Sequence, residues 1–300
     1  MKKLHKKNLT RIASFASLSI ALALVSIKIW ACLATGSIAL LTSAADGFVD
    51  VLESVVTLAG VYYAQRPADD SHRYGHGKAE AVAAFVQALL LAGAGITLCF
   101  ESINRFINPQ ILSSQKLGIS IIIGSTLCAT MLVMMQTLVV KYTHSIAIAA
   151  DRAHYVTDIA INIAVLCALL LENQLGWTRA DAFGAFSISC YMIWNARNMI
   201  QSTLLQLLDH ELNIFERKRI IKTMQKCFGV KKIQELRTRN SGDKVFIESR
   251  ISVDGKLNII TGHNICSNIE KKVKELFSSA DVFIHLEPEQ HYRKNQKQKK

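Results

Sequence analysis

The sequence predicts a multi-pass α-helical membrane protein, with six transmembrane helices followed by a small α+β cytoplasmic domain. Half of the 300 residues are hydrophobic, only 19% are charged and the mean hydropathy is +0.24, which is apolar for a chain of this size. Six stretches reach the ~20 mostly apolar residues that a helix needs to cross a ~30 Å hydrocarbon core. After Leu208 the pattern changes to a charged, mixed segment of about 80 residues, enough for a small core of its own.

The six stretches run approximately over residues 12–34, 38–64, 79–103, 116–140, 145–171 and 182–207. An even number places both termini on one side of the membrane. Basic residues mark that side as the cytoplasm. They flank the start (MKKLHKKNLTR), the loop with Arg66, Arg73 and Lys78, the turn at Lys141 and the tail, whereas the turn Thr35-Gly36-Ser37 carries no charge. Arg105 and Lys116 run against this rule on the outer side. The net charge of +12, piled at the two ends, is therefore assigned to membrane flanks and not to nucleic-acid binding. A basic start before an apolar stretch also resembles a secretory signal. The stretch far exceeds the ~7 to 15 residues of a signal core and no small-x-small site follows closely, so it is read as a retained span. The seven cysteines are scattered without a CxxC pair and read as apolar packing residues, neither disulfides nor a thiolate cage.

The division expected is a transmembrane domain over 1–208, an α+β cytoplasmic domain over 209–290 and a disordered basic tail over 291–300. The second part reads helix, strand, strand, helix, strand. Asn213 can cap a helix through ERKRIIKTMQKCF that stops at Gly229. Val245, Ile247, Ile251 and Val253 share one strand parity opposite Glu248 and Arg250, after the turn Ser241-Gly242-Asp243. Ile265, Ile269, Val273 and Leu276 lie on one face of a second helix. The last strand alternates Val282, Ile284 and Leu286 against Phe283, His285 and Glu287, which gives helices on one face of a sheet.

Charges inside a span cost ~2.5 to 3.5 kcal/mol each on insertion scales, so they tend to be paired, solvated or functional. In the second span DGFVD sets Asp46 and Asp50 at i and i+4, and in the fifth HYVTD sets His154 and Asp158 at the same spacing. Each pair faces one way from its helix. Face to face, they offer three carboxylates and one imidazole, a tetrahedral set suited to Zn²⁺ and tolerable for Fe²⁺, Mn²⁺ or Cd²⁺. One pair alone reads as interhelical hydrogen bonds or a proton relay; two matched pairs favour a metal. In the loop PADDSHRYGHGK, Asp69, His72 and His76 can close on one ion or simply be solvated, and glycines 75 and 77 make the loop deformable. Lys28, Glu53, Glu80, Glu101, Arg152 and Arg197 read as helix-end snorkelers or interhelical pairs. Asp151, one turn before His154, either caps its helix or draws cations to the cytoplasmic mouth.

The stretches LLTSAADGFVDVLES, RPADDSHRYGHGKAEA, AADRAHYVTD, LLD at 207–209 and ELRTR, in this order and spacing, resemble the cation diffusion facilitator family, in its bacterial zinc and ferrous-iron efflux branch. The resemblance covers nearly the whole chain. It implies a homodimer in the bacterial inner membrane, a metallochaperone-like cytoplasmic domain, and efflux of Zn²⁺ or Fe²⁺, with Cd²⁺ and Mn²⁺ as further candidates, driven by inward protons. It implies a transporter, not an enzyme, with no catalytic cofactor. Asp46, Asp50, His154 and Asp158 match the family's transport site, Asp69, His72 and His76 its loop site, and Lys78 and Asp209 a charge interlock near the dimer's membrane boundary. The cytoplasmic site departs. His263 and His285 remain and Glu287 replaces an aspartate, but Gln234 and Arg250 stand where relatives have histidines. Glutamine is a poor zinc ligand and protonated arginine has no lone pair to give, so at least one ion should be missing. Arg250 is expected to hold Glu287 in its place.

Two other classes compete with this reading. A membrane metallohydrolase would use the same ligands on a catalytic zinc, but the sequence has no HExxH motif or obvious serine nucleophile. A non-transporting metal sensor or scaffold accords with the depleted cytoplasmic site, yet has no reason to bury four ionisable ligands.

Overall fold

The computed structural model describes residues 2–35, 38–108, 116–175, 179–277 and 279–289. The basic tail expected over 291–300 and the residues 36–37 of the uncharged outer turn lie outside them. The chain divides into two compact units, Met1–Leu204 and Leu205–Lys300.

Six long helices make up the first unit: α1 (Lys2–Thr35), α2 (Ile38–Ala64), α3 (Ala79–Ile107), α4 (Lys116–Thr143), α5 (Ile146–Leu175) and α6 (Ala180–Leu207). Each expected span falls on one of them. α1 begins ten residues ahead of the apolar stretch that predicts it, because the helical hydrogen-bond ladder does not stop where a membrane does. Over Lys6–Leu33, Ala79–Ile107 and Ile119–Thr143 the helices are long and apolar enough to cross a membrane by length and composition alone. α2 and α5 carry the ionisable residues considered below.

Packing in this unit is the reverse of a soluble core. Small residues such as Ala13, Ala83, Ala84, Ala88, Ala147 and Ala196 are buried between helices, while Phe15, Trp30, Leu127, Met131 and Trp194 point outward. Lipid solvates large apolar side chains as well as a protein interior does, so close backbone approach is what small residues contribute at such interfaces. α1, α2, α3, α4 and α5 share one apolar cluster around Val61, Val139 and Ile148. α3 meets α6 through Leu91, Met192 and Ala196.

The second unit is α7 (Ile214–Gln225), β1 (Lys232–Ser241), β2 (Lys244–Val253), α8 (Ile259–Leu276) and β3 (Ala280–Pro288), the order the sequence predicts. β2 is central, antiparallel to β1 and parallel to β3. Asn213 caps α7 by accepting from the Phe215 N–H at 3.1 Å. The chain leaves the helix through Gly229, whose φ of +85° suits a residue without Cβ. Ile247, Ile251, Val282 and Ile284 from the sheet pack on Ile220 and Met224 of α7 and Ile265, Ile269 and Val273 of α8, so both helices cover one sheet face. Phe246 shares the parity of Glu248 and Arg250. It is buried on the other face, beneath the Arg239 guanidinium 4.9 Å from its ring.

Candidate functional site

The two i, i+4 pairs meet between α2 and α5. His154 Nε2 lies 3.2 Å from Asp50 Oδ1 and 3.2 Å from Asp158 Oδ2. A tetrahedral ion with bonds of ~2.0 to 2.1 Å sets its ligands ~3.3 Å apart, so these distances are edges of such a tetrahedron. The ligand atoms of Asp50, His154 and Asp158 all lie within 4.8 Å of one another. Nε2 makes no aligned hydrogen bond to either oxygen, and among the described residues no Lys or Arg reaches ion-pair distance of the group. Two carboxylates and an imidazole thus converge on a point where a cation satisfies all three. Asp46, one turn earlier on α2, is exposed and does not bring its carboxylate into this group.

Glu53 belongs to the site, although its sequence position reads as an ordinary interhelical pair. Its Oε2 stands 3.0 Å from Nδ1 of His154, on the far side of the ring from the two aspartates. The contact is outside hydrogen-bond alignment, so charge steers the ring, turning Nε2 toward the ligands. Asp50 and Glu53 are three residues apart, which sets both on the α5-facing side of α2.

Asp151 neither caps α5 nor faces an entrance. It is fully buried and bonded to side chains of α1, α2 and α4, because those helices pack over this face of α5. Glu80 accepts from Ser145 Oγ at 3.0 Å and Glu101 pairs with Arg105, as charges near helix ends are expected to.

The loop between α2 and α3 gathers Asp69, His72 and His76, whose ligand atoms also lie within 4.8 Å of one another. Asp69 Oδ1 accepts from the N–H groups of Ser71 and His72 at 3.0 and 2.7 Å, while Gly75 turns the chain at φ +85°. The His72 backbone N–H above all, with the nearby His76, holds the Asp69 carboxyl below its ordinary range. Nδ1 of His76 lies 3.2 Å from the carbonyl of Pro67, a bond that requires the proton on Nδ1. Its Nε2 lies 3.3 Å from Asp69 Oδ2, so in the neutral ring a lone pair meets the carboxylate and a cation can sit between them.

In the second unit His263, His285 and Glu287 do not form such a group among the described residues. His263 is exposed at the start of α8, and His285 Nε2 is 3.9 Å from Glu287 Oε1. That oxygen is engaged by Arg250 Nε at 3.2 Å, and Arg250 also reaches Glu235 at 3.4 Å. Gln234 donates to Ser252 Oγ at 3.1 Å instead of facing the cluster. Burial pushes the thiols of Cys227 and Cys266 up, which keeps them protonated and poor ligands. Asp209, at φ +56°, accepts from Arg239 at 3.3 Å. Lys78 stands at the N-terminus of α3 in the other unit.

Long apolar helices around a ligand cluster, followed by a soluble α+β unit, define a multi-pass membrane transporter for cations. The chain belongs to the cation efflux family: the model of its transmembrane domain matches residues 14–208, and that of its cytoplasmic domain matches residues 213–289. It is a transporter and not an enzyme. Among curated relatives, it is 37% identical to proteins named cation-efflux pump FieF from Salmonella arizonae and Salmonella choleraesuis, over 92% of this chain and 92% of each relative. Solved structures similar to it include the zinc form of the transporter CzrB, 28% identical over 27% of this chain and 93% of that one, with a TM-score of 0.26. A nickel form of the MamM CTD is 21% identical over 25% of this chain and 95% of that one, with a TM-score of 0.24.

Proposed function

We propose that this chain, as a homodimer in the bacterial inner membrane, exports divalent transition-metal ions from the cytoplasm in exchange for protons. Zn²⁺ and Fe²⁺ are the leading substrates, and Cd²⁺ and Mn²⁺ fit the same ligands. The observation that carries this reading is the convergence of Asp50, His154 and Asp158 within 4.8 Å inside a helical membrane unit. Asp46, from the preceding turn of α2, is the fourth ligand that would close on a bound ion. An ion captured from the cytoplasm displaces protons from these ligands, since carboxylates and imidazole coordinate only when deprotonated. Rocking of the helices then presents the site outward, where protonation of His154 weakens the set and releases the ion.

The loop residues Asp69, His72 and His76 form a second metal site at the cytoplasmic ends of α2 and α3. Lys78 and Asp209, at the positions the family resemblance points to, form a charge interlock near the dimer's membrane boundary. The cytoplasmic domain contributes to dimerisation and, with Arg250 on Glu287, holds fewer ions than a full histidine set would. His263 and His285 remain available to it.

Zinc-driven proton movement by the reconstituted chain tests the reading. Asp50→Ala and His154→Ala should each reduce transport roughly tenfold or more, since even outer-shell partners of a metal cost 10- to 100-fold when removed. Transport at the unmodified rate in either variant would overturn the assignment. Two carboxylates on α2 suit several metals, so Asp46→His should narrow transport toward zinc. Cadmium carried as well as before would refute that.

A further inference from the structure

One buried polar cluster in the membrane unit takes no part in the metal site. Asp151 has no solvent exposure, and its carboxylate is reached from three other helices. Ser17 of α1 donates to Oδ2 at 2.6 Å, Gln136 Nε2 of α4 is 2.6 Å from the same oxygen, and Thr57 of α2 is 3.3 Å from Oδ1. Gln87 of α3 donates in turn to Thr57. Tyr155, one turn along α5, closes the cluster against Ser17 and Ser54. Every one of these side chains is at most 2% exposed.

Two features point to a ligand. Among the described residues no Lys or Arg lies within ion-pair distance of Asp151, so neutral donors alone hold a carboxylate out of water. The carbonyl oxygens of Gln136 and Gln87 are buried without any hydrogen bond, which costs about 1 to 3 kcal/mol for each such group. One small species, a proton, meets the first and, at Gln136, the second. The 2.6 Å separation of Gln136 from Asp151 is short for N–H···O, normally ~2.7 to 3.2 Å, and ordinary for O–H···O. Turning the Gln136 amide by half a rotation sets its oxygen against Oδ2, where it accepts from a protonated carboxyl. The same side chain therefore serves both states, donating to the anion and accepting from the acid.

We propose that Asp151 is a proton-binding site distinct from the metal ligands and carries a proton of the exchange cycle. The proposal rests on the antiport reading above. A proton adds to Oδ2 from the outer side, forming an O–H bond and a neutral carboxyl; it leaves to cytoplasmic water when the anion is restored. Hydrogen bonds to a charged group are roughly twice as strong as neutral ones. The anion thus draws α1, α2 and α4 onto α5, and protonation slackens that grip one helical turn from His154. The titratable groups that interact electrostatically with Asp151 are His154, Tyr155 and Asp158 of α5 and Glu53 of α2, while α1, α3 and α4 bring neutral Ser17, Gln87 and Gln136 to the cluster.

The test uses the full chain in sealed vesicles, with protons moved per zinc ion read at several pH values. Asp151→Asn, a shape-matched stand-in for the protonated acid, should lower the ratio by about one proton and flatten its pH dependence. The unmodified ratio and pH profile in that variant would overturn the proposal. Infrared difference spectra between acid and alkaline pH, recorded without metal, supply a readout that needs no turnover. The carboxylic-acid band of the unmodified chain should shift in Gln136→Leu, and an unshifted band would overturn the proposal even if Asp151→Asn fails to fold. Zinc moving with no proton movement in the unmodified chain would instead overturn the antiport reading, with the infrared result still deciding Asp151.

Discussion

His154 and His285 each stand beside carboxylates, and the two neighbourhoods differ in what supplies the positive charge. Around His154, Asp50 and Asp158 meet the imidazole with no Lys or Arg at ion-pair distance among the described residues. Around His285, Arg250 sits between Glu287 and Glu235 at 3.2 and 3.4 Å. A permanent guanidinium makes a carboxylate cluster self-sufficient, because arginine does not give up its proton. Without one, the cluster is complete only when a cation enters it from outside. A metal that must enter and leave requires the second arrangement, and the cytoplasmic cluster of this chain has adopted the first.

The largest effect on this contrast should come from Glu53, which turns the imidazole without touching the ligands' side of the ring. Outer-shell partners of metal-bound histidine are worth roughly 10- to 100-fold in affinity. Glu53→Leu should weaken zinc binding by that order in titrations of the purified chain, and Glu53→Gln, which keeps an acceptor oxygen but loses the charge, should fall between the two. Equal affinities in all three chains would show that His154 is oriented by packing alone.

Arg250→Ala should convert the cytoplasmic cluster from the first arrangement toward the second. In a background with Asp50, His154 and His76 already changed to Ala, zinc bound per subunit should be zero or one while Arg250 is present, and rise by up to one when it is removed. Two tightly held zinc ions per subunit with Arg250 intact would break the comparison. Stability is not the discriminating readout. Arg250 is about half exposed (46%), and an ion pair of that exposure contributes about 0 to 1 kcal/mol.

Much of this was legible in the chain itself. The spacing in DGFVD and HYVTD announces two helix faces that carry ionisable residues, and the loop residues Asp69, His72 and His76 are close enough in sequence to be local geometry. The parity of β2 and β3 and the cap at Asn213 were equally plain, since strand alternation and capping are short-range. What stayed hidden depends on how helices rotate against each other. Glu53 and Asp151 look like ordinary charges near helix ends until α2 and α5 are packed, because sequence spacing shows which residues share a face but not what that face meets. Asp46 is the converse: the spacing that groups it with Asp50 is real, yet it stands a turn away from the convergent trio. His263 fails for a third reason, since its position in α8 says nothing about its distance from His285 on the strand that follows.

The smallest predicted effect concerns the loop, where neither a metal nor an arginine is needed to keep Asp69 charged. The His72 backbone N–H, 2.7 Å from Oδ1, is the main cause of its lowered pKa. A carboxyl whose pKa is lower in the folded loop than in the unfolded chain stabilises the loop above the ordinary carboxylate value near ~3.9, and that contribution is lost as the pH falls through the depressed value. Asp69→Asn should therefore speed hydrogen exchange at the His72 amide at neutral pH, severalfold at most because the site is open to solvent. The difference between the two chains should persist unchanged until the pH drops below about 4. Its disappearance by pH 6 would mean that something other than the Asp69 charge controls the loop.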